Sequence, residues 1–259
     1  MRTTLLAESP SANLTMSMQR VQLSQDAPSS LLTTGAQEVC LYVLTGGVNV
    51  AMRWNDRDAT VRLENARRTV QEPQLALLRV PINRGLALSC ELTTYAADIL
   101  CVTNICGGEQ PPDGTFAAYA TGYNHHVGTG THERWVREVV TPPGYTIHCG
   151  ETLNVPGGWS SWPSHAAPDE IPRYAEHEEL FFVITPGYGL MHCDGLYPDG
   201  TRAPEVQKIS NGQALRTPLG SHEIVFSPGD WGYYAWFYRS FLQKQYNKWA
   251  TDGVKTYVK

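Results

Sequence analysis

Apolar positions along the chain fall in short runs of β-branched and aromatic residues, each closed by Gly, Pro or Asn, and within the runs apolar and polar residues tend to alternate. EVCLYVLTGGVNVAMRW (Glu38–Trp54) reads as two such runs around Thr45-Gly46-Gly47, which predicts a hairpin. QLALLRVP (74–81), ALSCELTTY (87–95) and DILCVTNI (98–105) predict further strands. The polar, Gly/Pro-rich segment CGGEQPPDGT (106–115) reads as a linker. Beyond it the pattern restarts with ERWVREVV, TIHCGETLNV, ELFFVIT, GLMHCDGLY, QALRTP, HEIVFS and GYYAWFY. Before residue 235 no stretch holds a helical apolar period over three turns, and the one candidate helix, 239–249, is short.

Two halves of similar size, each built from short strands and turns, predict an all-β protein with two barrels or sandwiches in tandem. Aromatics occupy both alternating faces of the last predicted strand, 231–238, so both faces are expected to be covered.

Composition narrows the function classes. At 42% apolar and 17% charged residues the chain is an ordinary globular one, long enough for a large core. A net charge of −5 without a basic stripe argues against a nucleic-acid partner. No apolar run approaches a membrane span, and MRTTLLAESPSANL lacks the apolar core of a secretory signal, so a cytoplasmic location is expected. The cysteines at 40, 90, 101, 106, 149 and 193 form no C-x-x-C pair; Cys40, Cys90 and Cys101 lie in apolar runs and are expected to be buried thiols.

Candidate chemistry is concentrated between Gly157 and Phe182, in GGWSSWPSHAAPDEIPRYAEHEELFF, and in PLGSHEIVFSPGD further on. His165, Glu179 and His222 place two imidazoles and a carboxylate on successive predicted strands. Such a donor set suits one divalent ion (Mn, Zn, Fe or Ni) in a barrel. His177 is two residues before Glu179 and so shares its strand face, which makes it a further donor candidate; a solvated position at the strand entrance is the alternative. His125 and His126 are adjacent and face opposite ways, against a joint site. His148 and His192 read as core or surface histidines. Trp159, Trp162, Tyr233 and Trp236 are able to stack on a sugar ring, and core packing explains them equally well. No phosphate-binding loop, dinucleotide fingerprint, zincin motif or nucleophile elbow occurs.

The pieces GTHERWVREVV (130–140), GGWSSWPSH (157–165), EELFFVITPGYGL (178–190) and NGQALRTPLGSHEIVFSPGDWGYY (211–234), with EVCLYVLTGGVNV (38–50) in the first half, resemble the bicupin 5-deoxy-glucuronate isomerases of inositol breakdown and the related 5-keto-4-deoxyuronate isomerases of pectin breakdown. The resemblance implies an all-β bicupin, two jelly-roll-like cupin barrels in tandem. It implies an N-terminal arm (1–34), a first barrel without metal ligands (35–125), a second with the metal site (126–245) and a tail (246–259). It also implies a metal-dependent aldose–ketose isomerase acting on a sugar acid, and association of copies through sheet faces into a homo-oligomer.

In that family the metal is held by His-x-His, a Glu and a late His, which His165, Glu179 and His222 match. The second His of the pair falls on Ala167, which has no donor atom. The Pro-Arg-Gly-Tyr-His that precedes the last ligand in the family reads Pro218-Leu219-Gly220-Ser221-His222 here, and the family's Gln-Arg pair falls on Met191 and His192. Arg134, beside His132, matches a family Arg able to grip a carboxylate; Trp162 and Tyr233 are the aromatic candidates for the substrate. The residue that moves the proton is not identified. Loss of the metal, with His165 and His222 as residual barrel-lining residues, is the competing reading, and it makes the chain a non-catalytic binding or assembly module. A metal-dependent cupin dioxygenase is a third option that the family match disfavours.

Overall fold

Strands make up nearly all the regular structure of the computed structural model, which describes residues 2–7, 15–35, 37–54, 57–81, 86–105, 115–142, 144–165, 178–196, 201–202, 204–217 and 219–239. Two compact units emerge: the first gathers Met1–Ser9, Thr15–Gly122 and Val140–Ile147, the second Pro10–Leu14, Tyr123–Val139 and His148–Lys259. Apart from Thr115 and from Arg239, which ends a strand, the linker predicted at 106–115, the helix predicted at 239–249 and the tail at 246–259 lie outside the described residues.

In the first unit β1 (Arg2–Ala7), β2 (Met16–Ser24), β3 (Ser29–Gly35), β4 (Glu38–Trp54), β5 (Arg57–Asn65), β6 (Gln74–Val80), β7 (Leu86–Asn104) and β8 (Phe116–Thr121) form one sheet. Its path is β1-β2-β7-β4-β6-β8, with β3 on β7 and β5 on β4. Residues 1–34 are thus not an arm, because β2 pairs with β7 along its whole length. The signal was present: Met16 and Met18, then Val21 and Leu23, are spaced two apart and buried. Arg20 secures the same pairing by donating two hydrogen bonds to Asp98, at 2.9 and 2.6 Å.

The hairpin predicted at Thr45-Gly46-Gly47 is replaced by a bend within a single strand. There the pairing of β4 with β7 shifts register twice. Gly46 has φ +82° and approaches the Ala96 carbonyl too closely to carry a Cβ. A Gly pair between apolar runs marks a bulge as readily as a turn, and the long partner strand decides between them. The strands predicted at 87–95 and 98–105 are likewise the two halves of β7.

Along β4 the continuous run EVCLYVL is buried on both faces. Val39, Leu41 and Val43 enter a core that also holds Val50, Met52, Leu78, Ile99 and Cys101, whereas Cys40, Tyr42 and Leu44 are buried on the opposite face. Within that core burial raises the pKa values of the Cys90 and Cys101 thiols, for Cys101 to about 12.

The stretch 140–147 belongs to this first unit because two buried ionic side chains fasten it there. The Glu38 carboxylate accepts hydrogen bonds from Thr146 N (2.8 Å), Thr146 Oγ1 (2.5 Å) and Ile147 N (3.0 Å). Arg79, with no solvent exposure, donates to the Ile147 carbonyl and to Thr141 Oγ1. A single cut at residue 125 therefore does not separate the units. Replacing Glu38 by alanine strands two buried backbone N–H groups and is expected to cost about 3 kcal/mol, measured as the change in urea unfolding free energy; a loss under about 1 kcal/mol would contradict the clamp.

The second unit holds β9 (His125–Val127), a 3-10 turn at Gly130–His132, β10 (Arg134–Val139), β11 (Ile147–Asn154), β12 (Trp159–His165), β13 (Glu178–Ile184), β14 (Tyr188–Leu196), β15 (Val206–Ser210), β16 (Ala214–Arg216), β17 (Leu219–Phe226) and β18 (Gly232–Arg239). They form two sheets, in the orders β16-β13-β18-β11-β10-β9 and β12-β17-β14-β15. Phe181, Val183, Tyr234 and Trp236 from the first sheet meet Met191, Cys193, Ile209, Ile224 and Phe226 from the second in one core. As its aromatic alternation predicts, β18 is buried throughout. Gly150 lets β11 pass against the Trp236 ring, where any Cβ would overlap the indole. On the outer face of the first sheet lies a buried ionic group: Arg137 Nη1 donates to Glu151 Oε1 at 2.5 Å, and Tyr233 OH donates to Glu151 Oε2 at 2.9 Å.

Candidate metal site in the second unit

Strand alternation sets which side chains face the interior of the second unit. On β13, Phe181 and Val183 belong to the core, so Glu179, two residues before Phe181, shares their face. Its partner across the ladder is Tyr238 of β18. On β17, Ile224 and Phe226 are core residues, which puts His222 on the inner face, beside Cys193 of β14. The two sheets thereby bring Glu179 and His222 face to face, with Glu179 Oε2 lying 3.9 Å from His222 Nε2.

Both groups are sheltered, Glu179 at 9% and His222 at 3% exposure. The Glu179 main chain is pinned where its carbonyl accepts from Thr217 N (3.1 Å) and Thr217 Oγ1 (3.4 Å). The Phe181 ring packs on the imidazole, 5.6 Å between centroids. Burial pushes the Glu179 carboxyl from its ordinary 4.5 up to about 8. Among the described residues its Oε2 has no hydrogen-bond partner. A buried carboxylate oxygen without a hydrogen bond, aimed at an imidazole nitrogen, is a donor pair that suits a divalent transition metal.

His165 ends β12 at the register position opposite His222, which places it on the same inner face. Backbone pairing thus gathers His165, His222 and Glu179 at one level of the unit. The side chains of His165 and Trp162, and all of Ala167 and His177, lie outside the described residues. Among the described residues no three His, Cys, Asp or Glu side chains stand close enough to hold a metal.

Two candidate substrate residues are located elsewhere by the register. Arg134 pairs with Asn154, whose Nδ2 donates to the Gly232 carbonyl, six residues from Tyr238 on β18. At ~3.3 Å per residue Arg134 is some 20 Å along the sheet from Glu179, and its Nη1 donates to the His132 carbonyl. Tyr233 alternates with Tyr234 and therefore faces outward, where it serves Glu151. Sequence spacing shows neither offset, because both depend on how strands pair.

His192 lies on the outer face, 3.1 Å from Glu223. His126 stacks on Trp135 and meets Glu133, while His125 meets Glu138, so the adjacent pair does face separate carboxylates. The inner face also holds two residues to which the sequence assigned no site role. His148 on β11 is buried, with its ring 6.0 Å from that of Tyr238, and Tyr238 is the cross-strand neighbour of Glu179. Cys193 flanks His222, with its thiol pushed up to about 11 by burial. Shared parity with Glu179 and His222 was their only signal, and it requires the ladder.

Comparison with known proteins bears on the fold and the family. An IolB-like protein from Salmonella typhimurium LT2 superposes with a TM-score of 0.67 at 18% identity, over 92% of this chain and 94% of the other. Bacillus subtilis oxalate decarboxylase gives 0.55 at 12%, over 92% and 76%. AerE from Microcystis aeruginosa gives 0.55 at 11%, over 87% and 88%. At such identities the likeness establishes the fold, which is the bicupin of β-barrels. No functionally curated protein matches the chain. The KduI/IolB family model matches residues 3–252, from the first strand of the first unit past the last strand of the second, and the chain therefore belongs to the KduI/IolB family.

Proposed function

We propose that this chain is a metal-dependent aldose–ketose isomerase acting on a uronate-type sugar acid, of the 5-deoxy-glucuronate kind, with His165, Glu179 and His222 as the metal ligands. The observation that supports this reading most is the buried Glu179–His222 pair, 3.9 Å apart, in which Glu179 Oε2 has no hydrogen-bond partner among the described residues. His165, Glu179 and His222 would hold a divalent metal whose positive charge would polarise a sugar carbonyl and make the neighbouring C–H more acidic. The chain's own residues supply the surroundings. Phe181, Tyr234 and Trp236 exclude water from the floor of the site. His148, on β11 of the same sheet and beside the Tyr238 ring, is the imidazole we assign to proton exchange. Three protein ligands leave coordination positions for the substrate, so Ala167 does not prevent catalysis.

Met191 favours a second reading. It is fully buried in the core, where the family resemblance leads one to expect a polar residue, and the interior it lines is more apolar than a sugar-acid site requires. A non-catalytic bicupin would have such a lining. Elemental analysis after incubation with Mn2+, Zn2+ or Ni2+, combined with a turnover assay on 5-deoxy-glucuronate, separates the two. The isomerase reading expects about one metal per chain and turnover within the ordinary enzymatic range of ~1–1000 per second. A protein that stays metal-free and inert is the binding module.

A further inference from the structure

We infer that residues 161–164 are a register device that carries His165 to the position facing His222, with Ser161 as the positioning residue that starts it. The inference deepens the metal-site reading above and rests on it only where metal binding is the readout. Upstream of the device β12 pairs regularly, Trp159 with Val225 and Ser160 with Ile224. Ser160 is on the inner face: its partner Ile224 is a core residue, and its hydroxyl is 2.5 Å from Tyr234 OH. In a regular antiparallel ladder the residue opposite His222 would be Trp162. The structure places His165 there, so β12 uses five steps where β17 uses two.

The excess is three residues, an odd number, and strand alternation is therefore reversed across the bulge. Ser160 and His165, which would lie on opposite faces of an unbroken strand, both lie on the inner one. A bulge with an even excess would leave His165 on the outer face, away from Glu179. Ser161 opens the bulge with φ +54°, and among the described residues it is the one non-glycine with positive φ. It is also buried. A non-glycine in the left-handed region is strained and persists only where its surroundings over-determine it. The surroundings do so here: Phe226 N donates to the Gly158 carbonyl at 3.1 Å and Tyr234 holds Ser160 on one side, while pairing with His222 fixes the other. The WSSWPSH motif is then a backbone instruction as well as a ligand source.

Two readouts test this, one independent of metal. In a Cys193→Ser background, His165→Cys and His222→Cys are combined and oxidised, and the disulfide is identified by peptide mapping; facing residues on antiparallel strands lie within disulfide reach. Mn2+ affinity is measured separately by EPR with both histidines present. Ser161→Gly, which tolerates positive φ, is expected to keep cross-linking and Mn2+ affinity within about twofold of the parent. Ser161→Val, which resists it, is expected to lose cross-linking and at least about tenfold in affinity. Equal cross-linking and equal affinity in parent and Ser161→Val overturn the inference. Cross-linking that depends on Ser161 in a protein that binds no Mn2+ upholds the inference and removes the metal reading. If Ser161→Val does not fold, one glycine inserted between Ser164 and His165 makes the excess even. Loss of the cross-link then supports the device, and an undiminished cross-link overturns it.

Discussion

Replacing Glu179 by glutamine is expected to weaken divalent-metal binding by about a hundredfold or more and, at the same time, to stabilise the metal-free protein at neutral and alkaline pH. Both effects come from one carboxyl that burial raises to about 8. A group whose pKa is higher in the folded than in the unfolded chain stabilises the fold fully below the unfolded value, here near 4.5, and that contribution is lost as pH rises through the folded value. The parent without metal should therefore weaken steadily between pH 4.5 and 8. Each pH unit in that window is worth about 1.4 kcal/mol, on the order of 5 kcal/mol in all. Glutamine has no charge to acquire, so the variant's profile should be flat over the same range.

Metal reverses the preference in the parent, because a cation favours the ionised carboxyl that burial disfavours. Loading near pH 7 should release close to one proton from Glu179, read by calorimetry in buffers of different ionisation enthalpy. Affinity in Glu179→Gln should fall by about a hundredfold or more, since one of three charged or strongly basic donors becomes a weak one. A parent whose unfolding free energy does not vary across this window would remove the buried neutral carboxyl from the description. Metal binding unchanged in the variant would remove Glu179 from the ligand set.

The second large effect concerns the outer face of the same sheet. Arg137→Met is expected to destabilise the protein by about 3–5 kcal/mol, because it leaves Glu151 charged and buried without the guanidinium that pairs with it. The side chains of the pair are 2% and 0% exposed, and Tyr233 supplies a hydroxyl to the remaining oxygen. The guanidinium also sits over the Tyr123 ring, 4.8 Å from its centre, so the truncation loses that contact as well. In the double variant Arg137→Met/Glu151→Leu no buried charge is stranded, and most of the loss should be recovered. A double-mutant cycle on urea unfolding measures the difference. Additive losses would show that the two side chains act independently. Tyr233→Phe, on the same logic, lowers stability without touching sugar-acid affinity, a split that distinguishes an outer-face anchor from a substrate ligand.

Local pattern specifies some elements of this chain and leaves others open. EVCLYVL and GYYAWFY are apolar on both alternating faces, which already indicates strands covered on both sides, and they are. WSSWPSH and the spacing to Glu179 and His222 indicated the fold and one interior donor set. The Gly pair at 46–47 was ambiguous, since a turn and a bulge ask the same backbone freedom of glycine. Met16 to Leu23 was legible as a strand, but Gln19-Arg20 interrupts its alternation, and what makes it part of the sheet is pairing with a segment some eighty residues away.

Arg134 and Tyr233 show the limit most clearly. Both have the chemistry to bind a sugar acid, and Tyr233 stands on β18, the strand paired with that of Glu179. One is displaced along the sheet and the other lies on its reverse face. His148, by contrast, looked like filler and faces the interior opposite Glu179's neighbour. By itself the sequence determined the all-β class, the doubled architecture and the residue types available for a metal, because alternation and turn chemistry are local. Which of those residues meet was decided only by the tertiary structure. Facing and level in a ladder depend on register between distant strands, and a three-residue excess at 161–164 is enough to change the face on which His165 lies.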